Sequence, residues 1–255
     1  MVEHRCLRRK GLQVRGLEYR PEKERRIGGT NLSSNYSMIF DLSHRLEPGM
    51  PSYPGLPVPK FHTFLSHGDA ATHAHYAPGT SFQIASFELG GNTATYVDAP
   101  FHRYPDGADL ADVPLGRLAD LPGLLVAAPE DGAIEARVFS GFAVRGRAVL
   151  VHTGWARRWG SDGYFRSGPF LTAAACEHLV HSGAELVGID CANIDDMQNK
   201  ARPAHTILLA AGIPVVEHLR GLEQIGGRDF RFFAVPPAIR GGTSFPVRAL
   251  AVCKE

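Results

Sequence analysis

Asp98 and His102 stand four residues apart on either side of Pro100, within the stretch GGNTATYVDAPFHRYPDG, Gly90 to Gly107. A carboxylate beside an imidazole can bind a metal ion or orient a general base. If residues 92–98 are extended, alternate side chains share a face. Asn92, Ala94, Tyr96 and Asp98 then point one way, and Thr93, Thr95 and Val97 the other. Pro100 ends regular pairing, and His102 follows in the turn. An Asp that only caps an Asp-x-Pro turn has the same spacing, and on spacing alone capping is the commoner use. A second pair lies in HTILLAAGIPVVE, with His205 in the first turns of a helix and Glu217 near the end of the next strand. Helix, glycine stop and strand can fold the two side chains back to one place. On spacing alone, a surface His and a surface Glu are the commoner outcome.

The elements that must position these residues can be read from local pattern. MIFDLSHRL reads as a short strand and a turn, and MPSYPGLPVPKF as loop, because each Pro removes a donor and fixes φ. TSFQIASFELGGNTATYVDAP reads as two strands joined around Gly90-Gly91 in a hairpin. AVLVHTGW is a β-branched strand. LTAAACEHLVHSG is helical, with Gly183 as its stop. AELVGIDCA is a buried strand. RPAHTILLAAG is a short helix between Pro203 and Gly212. IPVVEHL, FRFFAVPPAI and PVRALAVC complete the strands. Hairpins dominate the first half, strands and helices alternate in the second, and no repeat is visible. The pattern predicts a mixed α/β single domain.

The chain has 255 residues, of which 44% are hydrophobic and 21% charged, ordinary for a globular protein able to bury a sizeable core. The net charge of +1 gives no overall bias toward nucleic acid or membrane. Residues 1–37 carry nine Lys/Arg against four Asp/Glu, and the remainder 18 against 22. The first 37 residues are therefore expected to be a basic, poorly ordered extension, and 38–255 the folded domain. Cys6, Cys176, Cys191 and Cys253 form no CxxC pair and suit a reducing cytoplasm. No apolar run approaches the length of a spanning helix, and no secretory signal is expected.

The motifs DAPFH, VHTGWARRWG, VGIDCANIDD and HTILLAAGIPVVEHL occur in that order. FDLSHRLEPGMPSYPG precedes them and FPVRALAV follows. Together these resemble the cyclase family of metal-dependent hydrolases, which includes bacterial kynurenine formamidase and isatin hydrolase. The resemblance covers about residues 38–252. It implies a mixed, partly barrel-like β-sheet flanked by helices, a homodimer or homotetramer, and a small-molecule substrate. It also implies hydrolysis of an amide, formamide, lactam or lactone, with kynurenine formamidase of tryptophan catabolism as the nearest activity.

The family's metal motif is H-x-G-T-H-x-D-x-P-x-H, and this chain has N-T-A-T-Y-V-D-A-P-F-H. By that match Asp98, His205 and Glu217 are metal ligands. His102 is the proton donor and acceptor, or a ligand to a second metal. Asn92 and Tyr96 replace two histidines, and Ala94 replaces the glycine. An Asn amide is a weak ligand, and a phenol binds well only after losing a proton with an ordinary pKa of ~10. The residues kept still suffice for one divalent ion, manganese or zinc, with an open position for water. Tyr96 and Asn92 are then candidate catalytic groups that donate hydrogen bonds to an oxyanion. Two alternatives stay open: a metal-free His102–Asp98 enzyme acting as cyclase, dehydratase or isomerase, and a degenerate site that only binds a small molecule. Asp190 is expected to organise the site from behind, Trp155 and Trp159 to pack, and Arg248 to serve structure. His73 and His75 are expected in a mobile entrance loop, and Cys191 shows no activating base.

Overall fold

A computed structural model describes residues 38–69, Ala74 and 76–254. The expected extension over 1–37, Cys6, and the pair His73 and His75 lie outside the described residues. In chain order the strands are β1 Met38–Asp41, β2 Lys60–Leu65, β3 Ile84–Glu88, β4 Tyr96–Asp98, β5 Leu121–Ala127, β6 Ala133–Ile134, β7 Ala148–His152, β8 Phe170–Leu171, β9 Leu186–Ile189, β10 Val215–Glu217, β11 Phe230–Phe233, β12 Ser244–Pro246 and β13 Leu250–Cys253. Two α-helices are described, α1 Ala173–Ser182 and α2 Pro203–Ala210.

Nine strands form one mixed sheet in the order β1-β13-β11-β5-β7-β9-β10-β4-β12. β5, β7, β9 and β10 run parallel to one another, and the outer strands pair antiparallel. The sheet curls into a half-barrel, the mixed α/β fold that the sequence led us to expect. Period-two burial explains the curl. Val149, Val151, Val187 and Ile189 face a core that includes Cys176 and Leu179 of α1 and Leu208 and Leu209 of α2. Their neighbours Ala148, Leu150 and Leu186 face a second core, with Phe232 of β11 and Ala251 and Cys253 of β13. A central strand buried on both faces reads as an unbroken apolar run, as AVLV of β7 does. The second core joins strands from opposite ends of the sheet order, so burying it requires the sheet to bend over itself.

The helices start and stop for local reasons. Thr172 caps α1 by accepting from the Ala175 N–H at 3.2 Å, and Gly183 ends it at φ 82°, where a side chain would be strained. Pro203 opens α2, its missing N–H costing nothing at that position.

The first half departs from expectation. β3 pairs with β2 in a separate two-stranded sheet, while β4 belongs to the main sheet. The expected hairpin around Gly90-Gly91 is therefore not formed, because β4 finds partners in β10 and β12 instead. Nor is 92–98 one strand. Only Tyr96–Asp98 is extended; 91–95 is a bend, with Ala94 at φ 54°. That left-handed conformation gives a backbone reason for the glycine in the motif that Ala94 replaces.

Candidate active site

β4 is short and wholly buried, and its register places the site. Tyr96 pairs with Glu217 of β10 on one side, and Asp98 pairs with Ser244 of β12 on the other. Directly opposed residues on neighbouring strands present their side chains to one another. The Tyr96 hydroxyl accordingly donates to Glu217 Oε2, and the Ser244 hydroxyl to Asp98 Oδ1. The 91–95 bend lies against β12 at Ser244. A Cβ at Gly91 would sit 2.3 Å from the Ser244 carbonyl oxygen, so only glycine permits that approach.

His102 closes a one-turn 3-10 helix, Pro100–His102, in which its N–H donates to the Ala99 carbonyl at 2.8 Å. The turn brings His102 Nδ1 to 3.7 Å from Asp98 Oδ1 and 3.1 Å from the Ser244 hydroxyl. Its Nε2 has no protein partner among the described residues. Asn92 donates through Nδ2 to Asp98 Oδ1 at 3.3 Å.

His205 enters from α2, and Asp195 aims it. The Asp195 carboxylate accepts the Ala204 N–H at 2.6 Å, the His205 N–H at 3.2 Å and the His205 ring Nδ1 at 2.6 Å. One carboxylate thus satisfies the N-terminus of α2 and fixes the imidazole, leaving Nε2 to face the site. That Nε2 lies 3.5 Å from Asp98 Oδ2 and 3.8 Å from Glu217 Oε1.

Asp98, His102 and His205 each offer a ligand atom within 4.8 Å of the other two. Asp98 Oδ2 is buried, and its one near donor is His205 Nε2 at the long distance of 3.5 Å. A buried carboxylate oxygen served by one long contact is costly, and a bound cation would complete its coordination. Two imidazoles and a carboxylate suit a borderline divalent ion. Glu217, expected as a ligand, stands beside this cluster and not in it, with its oxygens accepting from Tyr96 and the Ile194 N–H. The structure therefore brings together all six residues that the sequence singled out. Their electrostatics are those of charges sharing a dry site. Burial works against the Asp98 anion, but hydrogen bonding with His205 and the charges of His102 and His205 hold its pKa below the usual value. Burial likewise opposes charging His205, yet Asp195 and Asp98 raise it well above an ordinary histidine. Burial pushes Glu217 up to about 7, against the pull of His205 and with the repulsion of Asp98. Tyr96 rises well above 10 through burial and then Glu217, so the phenol keeps its proton and uses it on Glu217.

All of these but Asp98 line a cleft of ≈ 450 Å³, together with Tyr53 and Leu56 of the Pro-rich loop. Two positioning residues escaped the sequence reading. Asp195 stood unremarked inside the quoted VGIDCANIDD, ten residues before His205. Ser244 lies 146 residues from Asp98 with no local pattern to mark it.

Asp190 accepts from the Thr153 N–H at 2.9 Å, the Thr153 hydroxyl at 2.5 Å and the Gly154 N–H at 2.8 Å. It fixes the turn after β7, and no direct bond to the cleft residues is described. Trp155 is buried with its indole N–H on the Tyr164 carbonyl, and Trp159 stacks on His44. Arg248 pairs with Asp41 on the surface. Burial raises the Cys191 thiol pKa well above its ordinary value, which suits packing and not attack.

A curled mixed sheet with buried Asp98 and His205 beside an exposed His102 at a cleft defines an α/β protein with the apparatus of an enzyme. The family described as putative cyclase matches residues 40–196, and this chain belongs to it. His205, Glu217 and Ser244 lie beyond that matched stretch. The chain is 27% identical over 219 residues to a kynurenine formamidase of Paracidovorax citrulli, covering 84% of this chain and 95% of that one. It is 28% identical over 221 residues to a kynurenine formamidase of Sphingopyxis alaskensis, covering 84% and 97%. Among solved structures it is similar in fold to isatin hydrolase A from Ralstonia solanacearum, with TM-score 0.72 and 24% identity over 85% of this chain and 92% of that one. A potential metal-dependent hydrolase with cyclase activity gives TM-score 0.70 at 24% identity, covering 86% and 99%. No described helix is long and apolar enough to cross a membrane.

Proposed function

We propose that this chain is a hydrolase of carbon–nitrogen bonds that cleaves an amide, formamide or lactam of a small molecule held in the cleft. The observation that carries this reading is the buried Asp98 carboxylate, whose Oδ2 meets only the long His205 contact, clustered with His102 and His205 behind the cleft lining. The curated relatives, named kynurenine formamidase, support it. Asp98, His205 and Glu217 would hold one divalent ion, manganese or zinc. When bound, such an ion polarises a substrate carbonyl and lowers the pKa of water toward ~7.

The chain's own residues do the rest. Ser244 and Asp98 hold His102 Nδ1, leaving Nε2 to take a proton from the attacking water and pass it to the leaving nitrogen. Asn92 bonds Asp98 through Nδ2 and lines the cleft, where its amide would turn toward an oxyanion. Tyr96 spends its hydroxyl on Glu217, so it acts by positioning that carboxylate, and the oxyanion role falls to Asn92. We place the protein in solution as a homodimer or homotetramer, a reading supported by exposed Phe64 and Phe87 on the β2–β3 sheet. Light scattering checks that assignment.

Metal content and turnover test the proposal. Tag-free wild type, Asp98→Ala and His205→Ala are analysed by elemental mass spectrometry and assayed on formamides, lactams and lactones, with and without chelator. About one manganese or zinc per chain, lost in both variants along with activity, is the expected result. A second reading rests on His205 lying between the Asp98 and Asp195 carboxylates, where its positive charge could stand in for a cation. It predicts turnover that survives chelation and is lost in His102→Ala. No turnover on any substrate would leave a binding protein.

A further inference from the structure

The charges lining the cleft are sorted by depth. Glu217 is the one carboxylate on its described lining, and both its oxygens are engaged, by Tyr96 and by the Ile194 N–H. The outer lining carries three cations, Arg103, Lys200 and Arg202. None of the three has a described carboxylate partner. Arg103 Nε donates to the Thr206 hydroxyl at 3.2 Å, and Arg202 Nη1 donates to Asn193 Oδ1 at 3.2 Å. Both guanidinium groups are thus steadied by neutral acceptors that leave their charge uncompensated. The chain also holds Arg202 at φ 49°, a left-handed conformation that a long side chain rarely adopts. Arg103 follows His102 directly, and Arg202 caps the helix that carries His205, so the cations are tied to the elements that bear the reacting groups.

We propose that Arg103, Lys200 and Arg202 form a subsite for a carboxylate on the substrate, at the end away from the bond that is cleaved. Guanidinium and ammonium groups with no internal carboxylate to neutralise them are what a carboxylate needs. The described rim has no acidic side chain to receive an ammonium. The subsite therefore favours a simple acid over a neutral amide, and also over a zwitterion such as an amino acid derivative. The inference deepens the hydrolase reading and rests on it for the position of the reacting bond. The three cations are specificity determinants and take no part in bond breaking.

The test compares compounds that share one scissile bond. Hydrolysis of 4-carboxyformanilide, neutral formanilide and an aminomethyl-carboxymethyl analogue is measured with wild type, Arg202→Gln and the double variant Arg103→Gln, Lys200→Met. Binding of the amine products 4-aminobenzoate and aniline is measured by calorimetry at low and high salt. We expect kcat/KM for the carboxylate to exceed the neutral compound by about tenfold, with the ratio falling toward one in the variants, mainly through KM. The preference for 4-aminobenzoate over aniline should shrink as salt rises. A carboxylate preference near one in wild type, or one unmoved by the substitutions and by salt, overturns the subsite. If nothing is hydrolysed, selective and salt-sensitive binding of 4-aminobenzoate still supports the subsite while the hydrolase reading fails. Hydrolysis without charge preference does the reverse.

Discussion

Asp195 is the residue whose removal should be felt in two places at once. Its carboxylate accepts two backbone N–H groups at the start of α2 and the ring Nδ1 of His205, all in a buried setting. Losing a helix cap costs about 0.5–2 kcal/mol, and losing a hydrogen bond to a charged group about 1.5–3 kcal/mol. Asp195→Ala forfeits both, so its expected cost is about 2–5 kcal/mol. Asp195→Asn keeps one acceptor oxygen but turns an amide N–H toward a donor, for about 2–4 kcal/mol. At roughly 2–4 °C per kcal/mol for a domain of this size, the Asn variant should melt about 5–15 °C lower. Freed from its partner, His205 also loses its fixed orientation, and removing such a partner weakens a metal site by about 10–100-fold. Differential scanning fluorimetry on metal-free protein reads the first effect, and titration with zinc or manganese under a competing chelator reads the second. An Asn variant that melts within about 1 °C of wild type and binds metal as tightly would refute the assignment, since only exposed or idle groups are so tolerant.

Two other perturbations follow from the same geometry. Glu217 holds its proton up to about pH 7 in the folded chain, whereas an unfolded Glu ionises near 4.5. Its contribution to stability is therefore complete below the lower value and lost as pH rises through the upper one, by about 3 kcal/mol. His205, raised well above 6.5, loses its contribution at higher pH still, and Asp98, lowered, loses its own only in acid, so the window from about 4.5 to 7 belongs to Glu217. Urea midpoints of metal-free wild type should fall across that window relative to Glu217→Gln; parallel profiles would remove the argument. Gly91→Ala forces a Cβ against the Ser244 carbonyl and should cost about 1–3 kcal/mol, lowering both the melting temperature and turnover because Ser244 holds Asp98 and His102.

The sequence alone determined much of this protein because much of it is local. Apolar runs marked the central strands, Gly183 ended α1, and Pro203 opened α2, each through chemistry within a few residues. Asp98, His102, His205 and Glu217 were legible because a motif fixes their types and spacing. What failed was pairing. TSFQIASFELGGNTATYVDAP has the local signature of a hairpin, but β3 pairs with β2 and β4 with β10 and β12, since burying β4 on both faces required partners more than 100 residues away. Register across those strands then set Tyr96 against Glu217 and Ser244 against Asp98, contacts 121 and 146 residues apart in the chain. Alternation along one strand cannot reveal which side chain stands across from it. The tertiary structure alone decided that Tyr96 gives its proton to a carboxylate, that Asp195 aims His205, and that three cations gather where the cleft meets solvent.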